Sequence, residues 1–362
     1  MIPIVLRLIS LSFFLSVVFS SPPLTCSIPL LWSQYTYGIP SWHSDNYTCP
    51  TRSQMYKIAP SQGKGLGAFA AQTLRSGDVI LREEPVIIIQ LPTLHEGVGY
   101  NAQEVRQRVR NEFDLLSEEA RADIMLLSSY ANGKDVNSPD YDRLGSIFRS
   151  NAYNSGDKVG LFPKIARINH SCRPNTSYFW NEKEKRRVVY ATRQIEEGEE
   201  LSVSYISLLA THADRQKQLD HYGFDCACEA CGTKHLRSAS DKRRLAIKQA
   251  FFDLEPQITL KRPETVVAKK KAQRMAKESK KLVSLVEEEE LADYYARAYR
   301  IAAVCHASLQ QWEPAALWAN KSYQFRLMAD SQSPETREME ILTGHFVQSW
   351  NDLLRNNSLG RG

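Results

Sequence analysis

The chain has 362 residues, 43% hydrophobic and 24% charged, which is the composition of an ordinary soluble globular protein with room for two domains. A net charge of +5 is too small to argue for nucleic acid, and the positive charge gathers unevenly between Lys242 and Lys281. Beyond the first twenty residues no stretch is long and apolar enough to cross a bilayer.

Residues 1–20 read as a secretory signal peptide. Arg7 precedes an apolar run from Leu8 to Phe19, and Val18-Phe19-Ser20 offers small-residue cleavage before Ser21-Pro22. An extended start or an uncleaved anchor would give the same run. Residues 21–55, rich in Pro, Ser, Trp and Tyr, read as an irregular arm. It holds the sequon Asn46-Tyr47-Thr48, and Cys26 and Cys49, which a secreted chain could join.

Short strands are expected at 56–58 and 66–70 around a glycine turn, then at 78–81 and 85–90. Val86-Ile87-Ile88-Ile89 is an unbroken β-branched run, the pattern of a strand buried on both faces. Residues 92–145 interrupt this β pattern. There Val105, Val109, Phe113 and Leu116 form one helical stripe, and Ser117 caps a second helix through Ile124 and Leu127. Residues 144–153 end in the string Asn151-Ala152-Tyr153. Strands follow at 159–162, 176–180 and 187–192, then a last one ending at Tyr205, and a short amphipathic helix at 212–222.

From Ser238 the pattern is helical. Leu291, Tyr294, Tyr295, Ala298 and Ala302 face Trp312, Ala315, Ala316 and Ala319 across a break at Gln310-Gln311. Small residues against large ones at this spacing resemble one tetratricopeptide-type pair, and a bundle of no repeat family fits nearly as well. Lys269–Lys281 followed by Glu287–Glu290 is expected to be a solvated helix with opposed charge blocks; a substrate- or nucleic-acid-binding patch is the sharper alternative. Cys305 reads as a core residue.

Four strings carry the chemistry. The first is Gly63-Lys64-Gly65-Leu66-Gly67, which lacks the Gly-x-Gly-x-x-Gly spacing and crossover helix of a dinucleotide fold. The second is Asn169-His170-Ser171-Cys172-Arg173-Pro174-Asn175, a polar segment between apolar strand patterns; burying such groups unpaired would cost several kcal/mol. The third is Gly198-Glu199-Glu200 running to Tyr205. The fourth is Cys226-Ala227-Cys228-Glu229-Ala230-Cys231 after Phe224. Its three thiols have metal-type spacing and want a fourth ligand, for which His221 and His235 lie nearby in sequence.

Together, in this order, the four strings resemble a SET-domain methyltransferase, closest to the SET-and-MYND group and its fungal relatives. The resemblance covers about 56–235. It implies an α+β protein: a SET domain of short strands over 56–206 with a helical insertion at 92–145, a post-SET zinc region over 207–237, and an all-α, tetratricopeptide-like domain over 238–362. The MYND zinc finger of that group is missing, since 92–145 contains no cysteine. Peptide recognition through such a finger is therefore not expected.

The resemblance also assigns roles. Lys64, Gly65 and Leu66 would line the methionine end of S-adenosylmethionine. Asn169 and His170 would bind its ammonium and adenine portions, and Phe224 would stack on adenine. Cys172 would be the fourth ligand with Cys226, Cys228 and Cys231, around a structural zinc. Tyr153 and Tyr205 would line the substrate channel. Tyr205 would be catalytic, orienting a lysine amine made neutral by desolvation and by the neighbouring sulfonium charge. Glu199 and Glu200 read as structural. The expected activity is protein-lysine N-methylation on a histone or another protein, with a monomeric enzyme and no firm sign of nucleic acid. The alternative is a non-catalytic SET scaffold, a zinc-stabilised interaction module. The address is divided: the leader points to the secretory pathway, the family to nucleus or cytoplasm.

Overall fold

The computed structural model describes residues 55–94, 99–130 and 141–359. The leader, the Cys26–Cys49 pairing and the Asn46 sequon lie outside the described residues. Among those described, no helix is long and apolar enough to cross a membrane.

The β part is a set of small sheets around one core. β1 (Tyr56–Ser61) and β2 (Gly65–Ala70) form an antiparallel hairpin with Tyr56 opposite Ala70 and Ser61 opposite Gly65. β3 (Val79–Glu83) pairs with β9 (Arg186–Ala191), which pairs with β8 (Thr176–Asn181). β4 (Ile87–Gln90) pairs with β6 (Lys158–Leu161), which pairs with β5 (Ala152–Ser155). β7 (Asn169–His170) and β10 (Ser202–Val203) are two-residue strands in parallel. The expected strand ending at Tyr205 is therefore much shorter, and Tyr205 lies beyond it. Single bridges from Phe69 to Glu200 and from Leu74 to Ile195 tie the hairpin to the last turn. Ala68, Ala70, Leu74, Ile80, Phe162, Ile165, Val189, Leu201 and Val203 fill the space these pieces enclose.

The insertion folds as predicted from its stripe. α1 (Ala102–Asp114) is capped by Asn101, whose side chain accepts from the Gln103 and Glu104 N–H groups. Ser117 caps α2 (Glu118–Met125) through the Ala120 N–H. α3 (Arg143–Asn151) follows. Val109, Phe113, Ile124, Leu144, Ile147 and Phe148 pack on Ile87, Ile89 and Leu161. The Val86–Ile89 run is not buried on both faces, however: Ile87 and Ile89 are buried and Ile88 is half-exposed. β4 is an edge strand with helices on one face, so alternation reappears.

The α part begins earlier than the sequence pattern indicates. α4 (His212–Leu219) runs into a 3-10 turn at Asp220–Tyr222, stopped by Gly223 at φ 77°. α5 (Lys234–Leu254) starts four residues before Ser238, because Thr233 caps it through the Leu236 N–H. α6 (Val266–Glu288), α7 (Ala292–Ser308), α8 (Trp312–Ala329) and α9 (Pro334–Leu359) then pack in succession. The α7–α8 pair has a small-residue seam, but its α7 side is Ala303 and Ala307 against Ala315, Ala316 and Ala319, while Leu291, Ala298 and Ala302, expected there, pack in the neighbouring core with Tyr294 and Tyr295. The core of the seam continues onto Val79, Val188 and Tyr190, so the helices cover the outer face of the β3–β9–β8 sheet. The lysines of Lys269–Lys281 are exposed as expected, but Glu289 is fully buried. Arg243 and Arg244 hold it at 2.5 and 3.0 Å, so that end of the charge block belongs to the core.

Candidate active site

Most polar groups of the Asn169–Asn175 box find partners, though Arg173 Nε is buried without one. The Asn175 side-chain oxygen accepts from the Ser202 N–H at 2.8 Å. Its amide donates to Glu199 at 3.0 Å and to the Glu200 carbonyl at 2.9 Å. Thr176 Oγ1 donates to the Ser202 carbonyl at 2.8 Å, and the Ser171 N–H to the Val203 carbonyl at 3.0 Å. These bonds weld the box to the Glu199–Tyr205 segment, which is how the unpaired-burial cost is avoided.

Glu200 ties in the glycine turn. It accepts from Ser61 Oγ at 2.7 Å, Lys64 Nζ at 2.9 Å and Asn169 Nδ2 at 2.8 Å, and the same Asn169 amide donates to the Leu66 carbonyl at 3.1 Å. Burial pushes the Glu200 carboxyl up, but the bonds from Asn169, Lys64 and Ser61 outweigh it and hold it below the usual carboxylate range. Gly67 makes this convergence possible. A Cβ there would sit 2.7 Å from Glu200 Oε1 and 2.9 Å from Asn169 Nδ2.

A hollow of about 320 Å³ opens beside this junction, within the range of small-molecule sites. Lys64, Leu66, Asn169, His170, Tyr205 and Phe224 all line it; Gly63 stands on the wall where Gly65 does not. The His170 ring is spoken for. Burial drives its pKa down to about 4, so it is neutral. Nδ1 accepts from the Tyr205 N–H at 3.1 Å, which leaves the Nε2 proton toward Cys172 Sγ at 3.4 Å. His170 thus braces Tyr205 rather than offering a free ring nitrogen. Ser128, Tyr130 and Arg167 complete the opposite wall. The Asn151 amide fixes that wall by donating to the Ser128 carbonyl at 2.7 Å.

A second hollow of about 190 Å³ lies beyond, lined by Tyr153, Tyr178, Asn154 and Ala152. Tyr205, Tyr222, Ser150, Asn151 and Ala166 border both hollows, so the two spaces share a wall containing two phenols. Their rings stand 5.1 Å apart. The Tyr205 hydroxyl donates to the Ile168 carbonyl at 2.7 Å, and burial pushes its pKa well above the ordinary tyrosine value. It is therefore a protonated phenol whose hydrogen is committed and whose oxygen can still accept.

Tyr178, Tyr222 and Arg187 are the residues that reading the sequence missed. Tyr178 and Tyr153 meet edge to face at 5.2 Å. The buried Arg187 guanidinium sits 4.7 Å from the Tyr153 ring, 4.9 Å from Tyr178 and 5.4 Å from Phe162, and donates to the Asn154 carbonyl. Tyr222 stands two residues before Phe224, and Gly223 between them lets the Tyr130 ring lie against the backbone. A Cβ at Gly223 would overlap that ring at 1.9 Å.

The four cysteines Cys172, Cys226, Cys228 and Cys231 converge, with all four sulfurs within 4.8 Å of one another and none in a disulfide. Cys172 and Cys231 are 3.7 Å apart. Tetrahedral zinc with Zn–S of about 2.3 Å sets sulfurs roughly 3.8 Å apart, so the donor set fits such an ion. His221 and His235 are exposed and stand outside the cluster. The fit places Cys172 of the box and the Cys226–Cys231 loop around one centre, next to the segment carrying Tyr222 and Phe224.

Residues 65–206 match the family described as SET domain. "Histone-lysine N-methyltransferase set5" of Schizosaccharomyces pombe is 32% identical over 211 residues, covering 56% of this chain and 59% of that protein. "Histone-lysine N-methyltransferase SMYD3" of Homo sapiens is 46% identical over 77 residues, covering 21% of this chain and 18% of that protein. The matches thus span from under a fifth to about three-fifths of these relatives' lengths.

Proposed function

We propose, from the premise that this chain is a SET-domain protein related to the SET-and-MYND group, that it is an S-adenosylmethionine-dependent protein-lysine N-methyltransferase. The observation that carries the reading is the shared wall: Tyr205 and Tyr222 border both a hollow of cofactor size and a narrow tyrosine-lined one. S-adenosylmethionine supplies an electrophilic methyl group on a sulfonium sulfur. Lys64, Leu66, Asn169, His170 and Phe224 would hold it in the larger hollow, and a lysine side chain would enter the smaller one.

The residues can do four things for such a transfer. The ring wall of Tyr153, Tyr178, Tyr205 and Tyr222 strips water from an entering amine. Free lysine has a pKa of about 10.4, and desolvation together with nearby positive charge favours its neutral, nucleophilic form. Arg187, a fixed cation behind Tyr153 and Tyr178, adds to that charge. The Tyr205 oxygen, its proton held by the Ile168 carbonyl, accepts from an amine N–H and so aims the nitrogen lone pair across the shared wall. A phenol pushed well above its ordinary pKa does not serve as a base near neutrality, so the amine proton leaves to solvent. Zinc held by Cys172, Cys226, Cys228 and Cys231 would be structural, since four thiolates leave no open position.

Calorimetric titration with S-adenosylhomocysteine tests the reading. One binding event per chain is expected. No binding by folded, zinc-loaded protein would favour the non-catalytic scaffold.

A further inference from the structure

The thiol cluster has two fully buried arginines beside it, Arg215 on α4 and Arg244 on α5. Arg244 is satisfied all round. Its Nε donates to Glu289 and Ser240 at 3.0 Å, Nη1 to the Leu208 carbonyl at 2.9 Å and Nη2 to the Cys172 carbonyl at 2.8 Å. Arg215 is not. Nη1 donates to the Ala210 carbonyl at 2.6 Å and to Asp241 at 3.4 Å, while Nε and Nη2 are buried without a hydrogen-bond partner.

Leaving charged donors dry and unpaired is strongly unfavourable, so a folded protein avoids it. Glu289 cannot serve as the partner, because Arg173, Arg243 and Arg244 already share it. The groups whose charge acts most on the Arg215 guanidinium are the sulfurs of Cys172 and Cys231, which lie near it without meeting hydrogen-bond geometry at Nε or Nη2. As neutral thiols these are weak acceptors. As thiolates around one divalent ion they are strong ones, and four of them leave the centre with a net charge of two minus.

We propose that Arg215 is a positioning residue of the metal centre: its Nε–H and Nη2–H donate to the thiolate sulfurs of Cys172 and Cys231 once the ion is bound. This rests on the reading of the four cysteines as a zinc site. Arg215 then offsets part of the centre's charge and clamps Cys172, from the SET core, to Cys231, from the loop that follows Phe224. Outer contacts of this kind commonly change metal affinity 10- to 100-fold.

The test uses the full chain, with zinc counted by mass spectrometry and zinc release followed with a chromogenic chelator. Wild-type protein is expected to hold one zinc. Arg215→Met should release zinc at least about tenfold faster than wild type. Arg215→Lys, which keeps the charge and loses the paired N–H groups, should fall between them. Lys217→Met, an exposed change on the same helix, is the control and should match wild type. A second readout is the sulfur-to-metal charge-transfer band of the cadmium-loaded protein, expected to shift in both Arg215 variants. Should Arg215→Met fail to fold, Arg215→Lys decides. Wild-type release rates together with an unmoved band in folded variants would overturn the proposal. Wild-type protein that is folded and free of zinc would instead defeat the zinc reading beneath it.

Discussion

Replacing Tyr205 with phenylalanine removes one oxygen and little else. The ring keeps its neighbours, Tyr222 at 5.1 Å, His170 at 5.4 Å and Phe224 at 6.5 Å. The backbone N–H keeps His170 Nδ1. What is lost is the 2.7 Å bond to the Ile168 carbonyl, which leaves an acceptor in a buried setting at a cost of about 1–2 kcal/mol in stability. Removing one preorganised polar group from a reacting centre typically costs about 10²–10³ in turnover. The groups expected to hold the cofactor are untouched, so S-adenosylhomocysteine affinity should stay within about threefold, roughly 0.7 kcal/mol. Both quantities are to be measured on one preparation, by transfer of a tritiated methyl group and by calorimetry. Turnover within threefold of wild type would refute the role given to Tyr205. A parallel collapse of turnover and cofactor affinity would make the residue structural.

Gly67→Ala places a Cβ against Glu200 and Asn169, so at least one charge-assisted bond of that junction must break; S-adenosylhomocysteine affinity should fall about tenfold with the circular dichroism spectrum unchanged. Unaltered affinity would show that the junction does not shape the larger hollow. Arg187→Met removes the fixed cation behind Tyr153 and Tyr178. The KM for a lysine acceptor should rise several-fold, and the acid limb of the rate profile should move to higher pH, since the bound amine then holds its proton more tightly; an unmoved limb would remove Arg187 from the electrostatics of the channel. Glu83 accepts from the Lys164 and Ile165 N–H groups at 2.9 Å, and burial raises its pKa from 4.5 to about 7. The folded state therefore binds the proton better than the unfolded one. The stability this contributes is full below about pH 4.5 and is lost as pH rises through about 7. Wild-type Tm should fall between pH 5 and pH 8 relative to Glu83→Gln, which keeps every other titrating group. Parallel Tm curves would refute that assignment.

The legible parts of the site are those written as short strings. The box, the Gly-Glu-Glu segment and the Cys-x-Cys-x-x-Cys loop each hold their chemistry within a few residues, and the fold brings them to one place. Tyr178 was not legible, because it reads as one more aromatic of a strand. Only the pairing of β8 with β9, and of β5 with β6, turns it toward Tyr153. Tyr222 looked like the end of a helix until the left-handed Gly223 carried the chain around to the shared wall. Charge was the least legible property. Glu289 ends a run of glutamates that reads as solvated, yet its partners Arg243 and Arg244 come from a helix more than forty residues earlier. The same distance in sequence hid Arg215 beside Cys172. In the insertion the helices followed their apolar stripe closely, since local spacing and the Asn101 and Ser117 caps mark their starts within a few residues.

The most direct measurement is transfer itself. Purified protein is incubated with S-adenosyl-[methyl-³H]methionine and a protein or peptide array, and labelled products are mapped by mass spectrometry. The account predicts label on lysine ε-nitrogen of an acceptor protein, lowered about 10²–10³-fold with Tyr205→Phe. Label confined to a different side chain would contradict the lysine channel. Protein that binds S-adenosylhomocysteine yet labels nothing across a whole proteome would contradict the claim that the two hollows meet at a working phenol.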